Sequence, residues 1–473
     1  MRARTSRSRR PRAGLVLCAL FGAWGGACGG EAEPPQAHPF DGVNVLVTLF
    51  DAWAPGHVPA WGYERETMPF LGASAEEWVR CADVTAAAPY TLASVSSLFT
   101  GEPPDVHRVI HAGTALPDPL GTWAESFLAA GYTTHGISTN AHVHPRFGFD
   151  RGFERFEHVY PRVEEGEPHV VPDGMLREIE QFLDAEREAP FFAYWHFMPP
   201  HAPYAPPEPQ RSSFAEHLAD DRLGSIENLT PLTVPVREAG PQEQQSIVDL
   251  YDAGLLYVDA VIESLHADLE ARGLLENTLW VLVSDHGEAF GQHGVFQHSR
   301  TLYQEMVQVP LYVRLPGGQR GGSVVEQALP LHGLYSSLHE LFRLPGAPPS
   351  TPSFAGALLG QEEGSLGPIF SRTAGPGPLR SIRRGDLKLV HHTQNKRNEL
   401  YDLARDPDER QDLAPRRAPA VQQLLADLER WKAAAEARAQ RAQRVGLDPA
   451  LAEALEAIGY GGEGEDAPSD EGD

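Results

Sequence analysis

The sequence predicts an α/β protein in which helices cover both faces of a sheet, and three observations carry that prediction. Residues 43–50 (VNVLVTLF) and 278–283 (TLWVLV) are unbroken apolar runs rich in β-branched residues, the pattern of strands buried on both faces. Between them Tyr251, Leu255, Val258, Ile262, Leu265 and Leu269 recur at steps of four and three, one face of an amphipathic helix that Gly273 ends. Both strands run into an aspartate, Asp51 directly and Asp285 after Ser284. Ligand sites in such sheets gather beyond the carboxyl ends of strands, so two aspartates far apart in sequence are expected to meet.

The elements follow in order. The first twelve residues hold six arginines, and no acid precedes Glu31. An apolar run from Ala13 to Trp24 and a Gly/Ala-rich exit complete the pattern of an export signal over residues 1–28. The run falls short of the ~20 residues a spanning helix needs. Cys28 follows Gly26-Ala27, which resembles a lipoprotein cleavage site and would tether the chain to a membrane. Ordinary secretion, with Cys28 unmodified, is the alternative. Residues 29–40 read as a linker and 41–344 as the main domain. Within it, 91–99 has helical spacing behind Pro89-Tyr90, 133–138 and 191–197 (FFAYWHF) read as strands, and the polar stretch 208–240 reads as an irregular surface loop. Residues 345–415 read as a linker and a small unit with strands near Ile382 and over 387–392. Residues 416–473 read as helix and then a disordered acidic tail.

Composition narrows the function. The hydrophobic share of 41% supports a sizeable core. A net charge of −26 repels phosphate backbones, so nucleic acid is excluded as a partner. Three cysteines, Cys18, Cys28 and Cys81, rule against a disulfide framework or a Cys-rich zinc site.

Five segments share one resemblance. They are NVLVTLFDAWAPGHVPAWGY at 44–63, FGFDRGFERF at 147–156, PHAPYAPP at 200–207, SDHGEAFGQHGVFQHSRTLYQEMVQVPLYVRLPG at 284–317, and KLVHH with ELYDLARDPDERQDL at 388–413. In this order, over roughly residues 41–415, they resemble the sulfatase family. The resemblance implies an alkaline-phosphatase-like sandwich: a large mixed, mostly parallel central sheet flanked by helices, plus a small C-terminal antiparallel subdomain. It also implies a metal-dependent ester hydrolase.

Asp51, Asp285 and His286 are the metal ligands that the resemblance implies, and their chemistry agrees. Carboxylates attract a hard divalent cation, and an imidazole widens the choice toward zinc or manganese. Many members carry a second acid where Ala52 stands, and the Asp-His pair is closer to phosphoesterase and phosphotransferase branches. Zinc or manganese is therefore expected over calcium or magnesium.

The nucleophile departs from the family. Sulfatases use Cys or Ser in a C/S-x-P-S-R pattern, oxidised to formylglycine, whereas the matching segment here is Thr91-Leu92-Ala93-Ser94-Val95. Threonine cannot become formylglycine, but its hydroxyl beside a cation and at a helix N-terminus can attack phosphorus and can itself ligate the metal. Helix capping is the competing role for Thr91. His201 matches a family histidine that contacts the substrate's anionic oxygens, and His298 falls near the Lys or His that contacts the leaving group; either could supply a proton. Arg300 could add positive charge for the substrate. His142, His144 and His293 read as structural or surface residues. Three functions remain open: hydrolysis of a small-molecule, glycan or lipid ester of sulfate or phosphate in the periplasm or outer envelope; phosphoryl transfer; and a catalytically inactive envelope binding protein, motivated by Ala52, Ala93 and Val95.

Overall fold

The computed structural model describes residues 38–159, 169–218, 221–233, 236–361, 364–375 and 377–458. The export signal, Cys28 and the acidic tail lie outside these residues. Among the described residues the central sheet has nine strands. They are β1 (Asn44–Phe50), β2 (Val79–Thr85), β3 (Thr133–Ser138), β4 (Arg155–His158), β5 (Phe191–Phe197), β6 (Thr278–Val283), β7 (Gln308–Arg314) and the short edge strands Val324–Val325 and Leu329–Pro330. The order from one edge is Val324–Val325, β2, β7, β6, β1, β5, β3, β4, with Leu329–Pro330 also on β2. β1 pairs in parallel with β5 and β6, and β3 in parallel with β4 and β5. β7 runs antiparallel to β2 and β6, so the sheet is mixed but mostly parallel.

The physical reason is visible in burial. Every residue of β1, β5 and β6 is buried, as their unbroken apolar sequences require when both faces are covered. One cover is α1 (Thr91–Thr100), whose ten residues are all buried. Its end is fixed by Gly101 at φ 65°, where a Cβ would collide with Pro349. The other face carries α2 (Asp173–Asp184) and α3 (Pro241–Ala271). All six residues of the sequence-read stripe on α3 from Tyr251 to Leu269 are buried, and they pack with Trp195 and Trp280 of the sheet.

A second, antiparallel sheet follows: β8 (Ile369–Arg372), β9 (Leu379–Arg384), β10 (Leu387–His392) and β11 (Asn398–Asp402), ordered as in the chain. Helix α4 (Ala418–Glu436) covers it through Val421, Leu424 and Leu428. The alkaline-phosphatase-like sandwich with a small C-terminal sheet is thus the fold observed. No helix among the described residues is long and apolar enough to cross a membrane.

One reading is corrected. Residues 208–240 are not an irregular loop: they contain helices Gln210–Ala215 and Ile226–Thr233 and a tight turn of helix at Asp221–Gly224. Leu229 and Leu232, three residues apart, are buried there, and so is Ala215. Tertiary packing outweighs the weak local propensity of a segment that carries Pro231 inside its helix.

Candidate active site

Sheet register brings the two aspartates together. Leu49 of β1 lies opposite Val283 of β6, so Asp51 leaves the sheet beside the turn that holds Asp285 and His286. Gly287 completes that turn because a Cβ there would strike the Glu305 carbonyl, while its N–H donates to Met306 O at 2.9 Å. The first turn of α1 is tied to the same place: Ser94 Oγ donates to the Asp285 carbonyl at 2.6 Å. Thr91 is the first residue of α1, and Tyr90 is its N-cap. The Thr91 side chain does not cap the helix; Oγ1 lies 3.4 Å from Asp51 Oδ2 and 3.3 Å from His286 Nε2.

Each carboxylate has one oxygen tied and one left over. Asp51 Oδ2 accepts from Asn140 Nδ2 at 2.5 Å and from His196 Nε2 at 3.1 Å. Asp285 Oδ1 accepts from the backbone N–H of His286 at 3.0 Å and of Ala52 at 3.4 Å. Asp51 Oδ1 and Asp285 Oδ2 are buried and accept no hydrogen bond. Each lies 3.5 Å from His286 Nε2. His286 Nδ1 donates to Gly287 O at 2.8 Å, which leaves the Nε2 lone pair facing the carboxylates. One ligand atom from each of Asp51, Asp285 and His286 falls within 4.8 Å of the others. Two buried carboxylate oxygens without a donor, converging on one imidazole nitrogen, are costly, and a divalent cation is what would satisfy them. The residues therefore fit a metal.

The electrostatics point the same way. Burial works against ionising Asp51, but the imidazoles of His201, His196 and His286 hold its carboxyl well below the usual carboxylate range. Burial and the charge on Asp51 push Asp285 up. Burial opposes a charge on His286, yet Asp285 and Asp51 raise it above an ordinary histidine. Two carboxylates sharing one site cannot both ionise cheaply without a cation between them.

Two further imidazoles stand over this cluster. His201 is 1% exposed; its Nδ1 donates to Ala202 O at 2.6 Å, and its Nε2 is buried without a hydrogen-bond partner. His298 packs its ring 4.3 Å from His286 and 4.9 Å from His201, and its Nδ1 pairs with Glu288 Oε1 at 3.0 Å. Burial lowers the pKa of both, His298 well below the ordinary value. Burial raises Glu288 to about 7. The backbone around His298 is strained: Gln297 has φ 58° and Ser299 φ 81°. Ser299 N donates to Pro89 O at 2.8 Å, strapping this segment across the start of α1. Asp51, Thr91, Asp285 and His286 have no exposed surface at all. Beside Glu288 a cleft of about 1020 Å³ opens, with His57, Trp61, His293, Arg397 and Tyr401 in its walls.

The structure thus gathers Asp51, Thr91, Asp285, His286, His201 and His298. Arg300 is exposed, two residues beyond His298. His293 pairs with Glu305 at 2.8 Å and stacks on Tyr303, and His144 is only part-buried, as a structural reading expects. His142 is 2% exposed, the structural one of the two readings given for it, and besides burial the charges of Asp51, His201, His298 and His286 act on it. Sequence reasoning missed Asn140, His196 and Glu288. Glu288 had a signal, standing three residues after Asp285 in the same motif. Asn140 and His196 reach the site from the ends of β3 and β5, which only the register reveals.

Known proteins resemble this chain in the same terms. An ulvan-active sulfatase from Formosa agariphila is 27% identical over 299 residues, 58% of this chain and 56% of the relative. A Δ4,5-hexuronate-2-O-sulfatase from Bacteroides thetaiotaomicron is 28% identical over 181 residues, 36% of each chain. The chain thus spans about half or less of the length of these relatives. The crystal structure of a phosphonate monoester hydrolase of Agrobacterium radiobacter superposes with a TM-score of 0.70 at 20% identity, covering 83% of this chain and 96% of that one, which shows a shared fold. Residues 43–343, the span that builds the large sheet and delivers every residue of the buried centre, match the family model for Sulfatase, and the chain belongs to the sulfatase family.

Proposed function

We propose that the protein is an exported hydrolase of phosphate or phosphonate esters, with Thr91 as nucleophile and a divalent cation, zinc or manganese, held by Asp51, Asp285, His286 and Thr91. One observation carries the reading. Thr91 Oγ1 lies 3.3 Å from His286 Nε2, against a cluster whose Asp51 Oδ1 and Asp285 Oδ2 lack donors. When bound, the cation supplies charge stabilisation for the anionic ester and favours the alkoxide of Thr91.

This chain's own residues do the rest. The dipole of α1 favours negative charge at its first residue. Thr91 Oγ1 forms a bond to phosphorus while the bond to the ester oxygen breaks. The proton from Thr91 ends on the departing alcohol, relayed through His201 or His298. Burial makes the charged form of either imidazole a ready donor. Water then cleaves the threonine ester, restoring the hydroxyl and releasing the inorganic anion or phosphonate. Glu288 orients His298 through Nδ1, and the exposed Arg300 draws the anion in. The organic part of the ester would occupy the cleft beside Glu288.

Sulfate esters are the second reading, favoured by the family match and by the two sulfatase relatives. Threonine in place of formylglycine weighs against it. Export rests on the N-terminal sequence, with Cys28 as a membrane tether. The test is metal content of the purified protein together with initial rates on an aryl sulfate, a phosphate diester and a phosphonate monoester, for wild type and Thr91→Ala. Bound metal with Thr91-dependent cleavage of a phosphorus ester is the expected result. Cleavage of aryl sulfate alone would move the assignment to sulfate esters. A metal-free wild type inert on all three would leave a binding protein in a hydrolase fold.

A further inference from the structure

His196 is used by none of the steps above, yet it touches their central carboxylate. It is fully buried on β5, and residues 194 and 196 share one face of that strand. Its backbone is pinned: His196 O accepts from Thr139 N at 3.1 Å and from Thr139 Oγ1 at 3.0 Å. Its Nε2 lies 3.1 Å from Asp51 Oδ2, and its Nδ1 lies 2.9 Å from the hydroxyl of Tyr194. A carboxylate oxygen can only accept, so the hydrogen must sit on Nε2. Nδ1 then accepts, and the Tyr194 hydroxyl donates. Tyr194 is itself immobilised, with its ring 4.9 Å from Phe99 and 5.6 Å from Trp123.

The consequence falls on the other oxygen of Asp51. With Oδ2 held by His196 and Asn140, the carboxylate cannot turn, and Oδ1 stays aimed at the gap beside His286 Nε2. We infer that His196 is a positioning residue for the cation: Tyr194 fixes its tautomer, and its Nε2–H turns Asp51 so that Oδ1 is presented beside Asp285 and His286. This rests on the cation reading of the site proposed above. Ligand-orienting partners of this kind typically carry ten- to a hundredfold in metal affinity.

Chelator-stripped full-length protein, titrated calorimetrically with zinc and with manganese, tests this. His196→Phe keeps the ring and removes the donor; it should weaken binding about ten- to a hundredfold. His196→Gln, whose amide can place an N–H near the same spot, should recover most of that loss. Tyr194→Phe should weaken binding by a smaller factor. Turnover of His196→Phe should climb back toward wild type as the metal is raised, which damage to the fold would not allow. Wild-type affinity in His196→Phe, or equal losses in His196→Phe and His196→Gln, overturns the positioning role while the cation reading stands. A wild type that takes up no cation overturns both. If His196→Phe does not fold, Tyr194→Phe decides, and unchanged affinity in it counts against the proposal.

Discussion

Asp51 and Glu399 are both carboxylates without exposed surface, one at the end of a strand of the large sheet and one within the small sheet, and their surroundings are opposite. Glu399 Oε2 accepts from Tyr303 at 2.7 Å and Tyr401 at 2.8 Å, while Oε1 meets His392 and Arg397, each at 2.9 Å. Nearby, buried Lys388 lies 2.9 Å from Glu409. The small sheet is fastened to residues 303–304 by charges that are answered within the protein. Asp51 and Asp285 instead each keep an oxygen with no donor, each 3.5 Å from His286 Nε2. A buried charge that is fully paired belongs to the architecture; a cluster of acceptors left without donors is shaped for something that arrives later.

Substitutions can break that contrast. The largest effect is expected at Thr91. Thr91→Ala should cut turnover by about 10⁴-fold or more, read as initial rates, and Thr91→Ser should retain a measurable share; activity near wild type in the alanine variant would end the nucleophile assignment. Asp285→Asn should abolish stoichiometric metal, measured by elemental analysis. It should also raise the melting temperature of the metal-free protein, because it removes a like charge from beside Asp51; a lowered metal-free melting temperature would contradict the account of the acceptor cluster. Glu399→Gln should do the reverse, destabilising metal-free and metal-loaded protein alike by about 2 kcal/mol, seen in denaturant unfolding, with metal content unchanged.

Acid sharpens the same comparison. Burial opposes the charge on Glu399, but Tyr303, Tyr401 and His392 hold its pKa below the ordinary 4.5. A depressed folded-state pKa means the contribution is complete above that value and lost as the pH falls below it. Wild type should therefore lose stability below about pH 4.5 more steeply than Glu399→Gln; parallel curves would remove Glu399 from the cause. The smallest effect is expected at the exposed Arg300: Arg300→Ala should raise KM a few-fold with kcat unchanged, and the difference should fade in high salt as screening grows.

What could be read from the sequence follows from where each residue sits. Asp51, Asp285, His286 and His201 stand in or at the ends of local motifs, and the strands that deliver them announce themselves as apolar runs. Thr91 was legible because helical spacing begins there, directly behind Pro89-Tyr90. His196 and Asn140 were not, because their partner is Asp51, 145 and 89 residues away, and the approach exists only once β3, β5 and β1 are in register. The helices within 210–233 were lost for a different reason. They are short, and their burial is decided by packing, Gln210–Ala215 against α3 and Ile226–Thr233 against Phe296–Gln297, rather than by their own periodicity.

The strap at Ser299 has a mechanical meaning. Its N–H holds the carbonyl of Pro89, two residues before Thr91, from a backbone that is left-handed at Gln297 and Ser299 and therefore strained. Glycine at either position would ease that strain, so the placement of His298 beside His286 is kept at a cost in backbone energy that its other contacts must offset.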